Sequence, residues 1–376
     1  MSKTEGDLVA CTQEFADKVI TQRAAIWDRD KKFDLDTIRE AAAIGLTGIQ
    51  VPAKFGGLGQ KFSSKARIAE ILAAADFGFA MSVINTQNVA QKLCRDASLD
   101  LVDRYVPAIL SGERLGSTAL TEPHAGSDFA AIKTTARREG DRWLLNGSKA
   151  WIINSVASDV LVVYAQTEPG SGGAGIAAFL VDGQRDGFKR SAPFKLTSPH
   201  SIGAGGFELD GYSATDREML QPPGKAFKAV LSSINEARTY VAIMCCGMVG
   251  KAIEIAADYG RKRTTFGKRL GEHQGWRWSL GDADVDLTAA QQLVAHAVEL
   301  IDNGEDSQFA AAKAKIFATR LAEQHLPKLA QLMGAEGLQD QYPFGRHLVA
   351  ARVAGFVDGS TEMLLERLTL KHTKPA

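Results

Sequence analysis

Residues 119–128 read Ala119-Leu120-Thr121-Glu122-Pro123-His124-Ala125-Gly126-Ser127-Asp128. Small residues and hydroxyls crowd a tight turn. Gly126 and Ser127 let backbone N–H groups approach an anion closely, as in a phosphate-binding nest. Taken alone, the segment reads as well as an ordinary capped turn. Its place in the chain is more telling, because the hydrophobic pattern changes there. Before it, residues 1–115 carry helical periodicity: Leu8, Cys11, Phe15 and Val19 recur at three- and four-residue steps. Thr37 with Glu40 has capping-box spacing, and the run after it stops near Gly45. A glycine-rich loop, Pro52 to Gly59, precedes another helical run through Ile68, Ile71 and Leu72.

After the turn, residues 116–223 form short apolar runs. Asp159 to Gln166 (DVLVVYAQ) and Ile176 to Val181 (IAAFLV) read as buried strands, and Phe207-Glu208-Leu209 as a third. Trp143-Leu144-Leu145 ends at Asn146-Gly147, a hairpin-type pair. Residues 224–376 are alanine-rich and helical. The stretch Arg238 to Tyr259 is apolar almost all round, as in a core helix, and Phe309 to Met333 is one helical pattern interrupted at Pro327. Trp143, Trp276 and Trp278 read as core aromatics. The expected fold class is α+β, ordered helices, β domain, helices.

Gly170-Ser171-Gly172-Gly173-Ala174-Gly175 spells G-x-G-x-x-G, but IAAFLVDG follows it. A dinucleotide fingerprint needs a helix there, so the loop reads as a hairpin connection instead.

The chain has 376 residues, with 44 Lys+Arg against 44 Asp+Glu. Zero net charge argues against nucleic-acid binding. Cys11, Cys94, Cys245 and Cys246 are too few and scattered for a disulfide framework or a zinc site, and the seven histidines form no H-x-x-x-H pair. No metal is expected. The run Tyr240 to Gly250 falls short of the ~20 apolar residues a membrane span needs. Nothing after Met1 resembles a secretory leader, so the expected compartment is the cytoplasm.

Residues 119–128 resemble the signature of the acyl-CoA dehydrogenase family, flavoproteins that oxidise acyl thioesters. Leu145-Asn146-Gly147-Ser148-Lys149-Ala150-Trp151-Ile152-Ile153-Asn154 resembles the family's N-G-x-K-x-W-I-T-N. Arg263 to Lys268 with Glu272-His273-Gln274 resembles R-x-T-F-G-x…Q, and Gln331 to Gly337 resembles Q-x-x-G-G-x-G. The resemblance implies an N-terminal helical domain, a middle β-barrel-like domain and a C-terminal four-helix bundle, with FAD between the last two. It places Leu120 and Thr121 at the flavin ring, Gly126 and Ser127 at the pyrophosphate, and Trp151 over one flavin face. Ile153 occupies the position of a threonine that bonds the flavin, leaving only its backbone to help. Arg263, Thr265, Phe266, Gln331 and Gly334 would reach the FAD of a neighbouring subunit, which implies a homo-oligomer built as a dimer of dimers, and Gln274 is a further expected cofactor contact. Ser360 and Glu362 fall among the expected cofactor contacts; Ser127, Asn235 and Arg238 among the substrate contacts. A structural salt bridge is the alternative role for Arg238.

The implied reaction removes the α proton of an acyl thioester, on coenzyme A or a carrier protein, and passes the β hydrogen to flavin N5. Electrons then leave to an acceptor such as an electron-transfer flavoprotein. The α proton needs a carboxylate in a dry site. Where most members have Y-E-G-T, this chain has Phe356-Val357-Asp358-Gly359-Ser360-Thr361, which makes Asp358 the expected base. Aspartate is shorter by one methylene, withdrawing the carboxylate by up to ~1.5 Å. Some members carry the base at the position of Ala237, which cannot serve; Glu236 beside it is turned away by ~100°. Ala335, Gln341 and His200 also depart from the family pattern. A flavin oxidase, a member acting on an unusual substrate, and a non-catalytic subunit of a hetero-oligomer stay open as alternatives.

Overall fold

The computed structural model describes residues 4–373. Helices α1 (Glu5–Phe15), α2 (Thr21–Arg29), α3 (Leu35–Ala43), α4 (Phe62–Ala75), α5 (Phe77–Asp96) and α6 (Leu99–Leu110) come first, with a π-helical turn, Ala16–Ile20, between α1 and α2. Strands follow: β1 (Gly116–Ala119), β2 (Thr135–Glu139), β3 (Arg142–Ile152), β4 (Val160–Gln166), β5 (Ile176–Asp182), β6 (Phe188–Arg190), β7 (Gly205–Thr215) and β8 (Met219–Gln221). Then come α7 (Ala226–Lys262), the small hairpin β9 (Thr264–Thr265) and β10 (Lys268–Arg269), α8 (Gln274–Asp302), α9 (Gln308–Gln331), α10 (Phe344–Phe356) and α11 (Thr361–Thr373).

The eight strands form one sheet in the order β6-β7-β3-β2-β4-β5-β8, with β1 parallel to β4. Its two halves meet through a single parallel pair, Thr135 with Gln166. The unbroken apolar runs of β4 and β5 follow from burial on both faces. Leu161, Val163, Ala177 and Phe179 point into a core shared with Leu145, Phe207 and Tyr212 of β3 and β7, so the sheet curls about its own interior. Val160, Val162, Ile176 and Ala178 point the other way, against Val102, Tyr105 and Val106 of α6. The loop 170–175 ends in a 3₁₀ turn, Gly172–Gly175, and joins antiparallel β4 and β5, a hairpin connection as its flanking strands predict.

The first and last helical regions share one core. Phe15, Leu72 and Phe79 pack in the same cluster as Val241, Met248, Ala290 and Leu326. Gly247 lets α7 approach α4 so closely that a Cβ there would lie 2.3 Å from the Glu70 carbonyl oxygen. The Asp302 carboxylate at the end of α8 accepts from the Phe62 N–H at 2.9 Å, capping α4 from the other region.

Five local expectations change. Asn146-Gly147 lies inside β3, where the register with β7 shifts; the chain reverses at Gly140 instead. Gly147, at φ 146°, passes so near Thr134 that a Cβ would stand 2.6 Å from its Cα. Helix α3 starts before Thr37, whose hydroxyl donates to Asp34, while Glu40 pairs with Arg23. Pro327 sits within a continuous α9. Trp278 is 63% exposed rather than core, and Trp143 and Trp276 are only half-buried. Finally, α7 is long and apolar enough to cross a bilayer by length and composition, but 67% of its apolar window is buried inside the protein.

Candidate functional site

The turn at 119–128 is built around a buried charge. Glu122 and Ala125 bridge backbone to backbone, closing the turn. The Glu122 carboxylate accepts from the N–H groups of Lys133 (2.7 Å) and Thr134 (3.0 Å) and from Lys149 Nζ (2.9 Å). Lys149 also donates to the Leu120 carbonyl at 2.9 Å, and Ala150 N–H to the Thr121 carbonyl at 3.1 Å. Burial pulls the Lys149 ammonium down to about 8, against the pull of Glu122. This pair fixes Leu120 and Thr121 beside the strand that carries Trp151. Thr121 is half-buried, whereas Gly126 and Ser127 are exposed at the tip.

Trp151, one residue before the end of its strand, has φ 61° and is 59% exposed, its ring tilted by 34° against Phe194 with ring centroids 4.3 Å apart. A left-handed conformation on a bulky residue is costly and persists only where the surroundings over-determine it. Asn154 supplies that constraint. Its amide donates to Ser82 O, Thr86 Oγ1 and Gly116 O, and its oxygen accepts from Ser82 Oγ, tying the strand end to α5. Ile153 gives its carbonyl to Ser117 Oγ at 2.6 Å, and its side chain packs against the helical core. A broad aromatic face beside an exposed glycine-serine turn suits a planar ring system with an anionic tail, the chemistry of a flavin dinucleotide.

A second constellation surrounds Asp358. The residue is half-buried in a left-handed turn, φ 54°, followed by Gly359 at φ 98°. Two cations hold this turn by its backbone. Lys315 Nζ, buried in α9, donates to the Val357 carbonyl and to the Gly359 carbonyl, the latter at 2.6 Å. Arg238 Nε donates to the Asp358 carbonyl at 3.0 Å, and Arg238 Nη1 to Asn235 Oδ1 at 3.0 Å. Burial pushes the Asp358 carboxyl up, opposed by Lys315 and Arg238. Burial likewise brings Lys315 down to about 8, with Asp358 opposing. Arg238 and Asn235 thus act here as a brace for the turn. Ser360 Oγ accepts from the Met363 N–H at the start of α11, and Glu362 is exposed one residue into it. Glu236 points away from Asp358's turn, to Lys65 at 3.3 Å.

The third group sits elsewhere. Arg263 ends α7, and Thr265 and Phe266 form the β9–β10 hairpin, with Phe266 97% exposed at φ 50°. Gln274 opens α8, Gln331 closes α9, and Gly334 opens the 3₁₀ turn that follows it. Trp276 joins these ends, packing on Gly260 and donating to the Leu332 carbonyl at 3.0 Å. Along α7, Arg238 and Arg263 are ~37 Å apart at ~1.5 Å per residue. One chain therefore keeps this end remote from Asp358's turn. His200, for its part, is taken up by Asp28 (2.8 Å) and the Leu196 carbonyl (3.0 Å).

Glu122, Lys149, Asn154 and Lys315 carry these arrangements, and reading the sequence gave none of them a role. Lys315 had a signal: it falls in register with the buried Ala311, Ala318 and Ala322 of α9.

Three family models match in order: acyl-CoA dehydrogenase N-terminal domain over 2–113, middle domain over 117–211 and C-terminal domain over 224–370. An acyl-CoA dehydrogenase of Bacillus subtilis (strain 168) is 31% identical over 355 residues, covering 93% of each chain. The butyryl-CoA dehydrogenase structure from Megasphaera elsdenii superposes with a TM-score of 0.94 at 26% identity, covering 100% of both chains. A structure described as the electron transferring flavoprotein of Acidaminococcus fermentans superposes with a TM-score of 0.94 at 26% identity, covering 100% of this chain and 99% of that one. With the buried Glu122–Lys149 turn, the Trp151 platform and the braced Asp358 all within the matched regions, the chain belongs to the acyl-CoA dehydrogenase family.

Proposed function

We propose that the protein is an FAD-dependent dehydrogenase of acyl thioesters, carried by coenzyme A or by a carrier protein, with Asp358 as the base. The observation that carries this reading is the braced turn at 357–359. Lys315 and Arg238 bind backbone carbonyls on and beside Asp358, and among the described residues no direct ion pair neutralises its carboxylate. Burial raises its proton affinity, which suits a group that must take a proton from carbon. Leu120, Thr121, Gly126, Ser127 and Trp151 would hold the cofactor from one subunit. Arg263, Thr265, Phe266, Gln274, Gln331 and Gly334 would hold it from a neighbour, in a homo-oligomer assembled as a dimer of dimers. FAD, when bound, supplies the acceptor for the β hydrogen. An electron-transfer flavoprotein is the proposed downstream acceptor.

The test is an anaerobic visible spectrum of the purified protein titrated with acyl-CoA thioesters. At least one thioester should bleach the oxidised flavin band. Asp358→Asn should retain flavin and bleach about 10²- to 10⁴-fold more slowly, the usual worth of a general base. In the wild type the bleaching rate should rise with pH, on a limb centred above the ordinary carboxylate value of 3.8. Unimpaired bleaching by Asp358→Asn would remove Asp358 from the reaction.

A further inference from the structure

Between α10 and α11, three consecutive carbonyls converge on two cations from other helices. Lys315 Nζ of α9 donates to the carbonyls of Val357 and Gly359, the latter at 2.6 Å, and Arg238 Nε of α7 donates to that of Asp358 at 3.0 Å. Peptide planes are rigid. Holding three in a row therefore fixes the φ and ψ of Asp358 and Gly359 together. Asp358 has φ 54°, a region that an L side chain keeps only where its surroundings enforce it. Gly359 has φ 98°, and a Cβ there would stand 3.3 Å from Arg238 Nη2, so a glycine lets the arginine close on the turn. The two cations differ in their other ties. Arg238 also donates to Asn235. Lys315 is 1% exposed, in register with the buried Ala311, Ala318 and Ala322, and among the described residues its ammonium donates to this turn alone. An ammonium buried among alanines is a poor way to stabilise a helix bundle, because an apolar side chain of similar length would avoid the desolvation cost.

We infer that Lys315 is a positioning residue for proton abstraction, aiming the Asp358 carboxylate by holding the carbonyls of the residues on either side of it. This rests on the proposed reaction at Asp358. Among the described residues no hydrogen bond reaches that carboxylate itself, so Lys315 acts on it through the backbone and through its charge. The titratable and charged groups facing the pair are Arg238, Tyr240 and Cys245 of α7 and Glu362 of α11. Lys315 opposes the rise that burial imposes on the Asp358 carboxyl. Removing its charge therefore moves the acid limb of the reaction to higher pH.

The experiment compares flavin-loaded wild type, Lys315→Met and Lys315→Arg, each checked for flavin content and melting temperature. Methionine keeps an apolar stem without donors, and arginine keeps charged donors. With the thioester that bleaches the wild type fastest, Lys315→Met should bleach about 10²-fold more slowly at saturation, the cost of misplacing a reacting group by about an ångström. The thioester's Kd should stay unchanged, and Lys315→Arg should recover part of the rate. The acid limb should move up in Lys315→Met. Amide hydrogen exchange over residues 357–364, which needs no turnover, should quicken there. If Lys315→Met does not fold, Lys315→Gln, an amide donor without the charge, takes its place under the same expectations. A wild-type rate in the uncharged variant overturns the inference. So does a loss that lies wholly in Kd, a loss that leaves both the limb and the exchange unmoved, or a folded Lys315→Arg as impaired as Lys315→Met. Each of these leaves the dehydrogenase reading standing. No bleaching of the wild type by any thioester overturns that reading and this inference with it.

Discussion

At the scale of single residues, the site depends on charges placed where charges are expensive. Lys149 and Glu122 are both sealed from solvent, and together they position the backbone of Leu120 and Thr121. Removing one partner of a buried pair strands the other. Lys149→Met should therefore cost about 3–5 kcal/mol in urea unfolding, at the lower end because Glu122 keeps its two backbone N–H bonds. Adding Glu122→Gln removes the stranded charge, and the double variant should recover part of that loss. Strict additivity of the two single changes would mean that the pair is not a unit. These residues also show where legibility stopped. Asp358 could be picked out because its motif is contiguous. Lys149 stood in plain view inside a matched motif, but its partner lies 27 positions away and no local pattern joins them. The same holds for Lys315, 42 positions from Val357.

At the scale of elements, the periodic runs were readable and their ends were not. β4 and β5 are recognisable because burial on both faces demands unbroken apolar sequence. Asn146-Gly147 misleads because a bulge and a turn ask the same thing of a glycine, a positive φ. Invisible from the sequence is how closely α7 meets α4. Gly247→Ala should cost about 1–3 kcal/mol by overpacking against the Glu70 carbonyl, measured by denaturant unfolding. Gly250→Ala, whose new Cβ would find only Leu287 at 3.6 Å, should be neutral or stabilising. The docking of α10 on α4 makes a pH prediction. His347 sits buried beside Arg346, with Nε2 near the Ala74 carbonyl at 3.3 Å, and burial lowers its pKa to about 3 from an ordinary 6.5. Between those values the unfolded chain binds more protons than the folded one, so this contribution is full above about pH 6.5 and is lost as pH falls toward 3. His347→Gln should flatten the acid side of the stability profile by up to about 1.4 kcal/mol per pH unit.

At the scale of the whole molecule, one chain separates what the proposed cofactor must bring together. Trp151 and the turn at 119–128 lie on the β domain, whereas Arg263, Thr265, Phe266, Gln331 and Gly334 lie at the far end of the helical region. The surface of the chain is consistent with assembly. Phe266 is 97% exposed, Leu338 84%, Val285 68% and Trp278 63%, and the last two stand seven residues apart on one face of α8. Large apolar side chains left exposed in such a stripe mark a surface that another protein covers. If that protein is a second copy, assembly and cofactor retention are one property rather than two. The double variant Trp278→Asp with Val285→Asp should then sediment as a smaller species, and should lose flavin in the same fractions, with both changes read together by absorbance at the flavin band during sedimentation. A smaller species that keeps its full complement of flavin would show that the Arg263 end contributes nothing to holding it. The coupling also has a sign that can be checked in reverse. A ligand bound only by the assembled form shifts the association equilibrium by mass action, so added FAD should drive the wild-type protein toward its larger species and leave the distribution of the double variant unchanged.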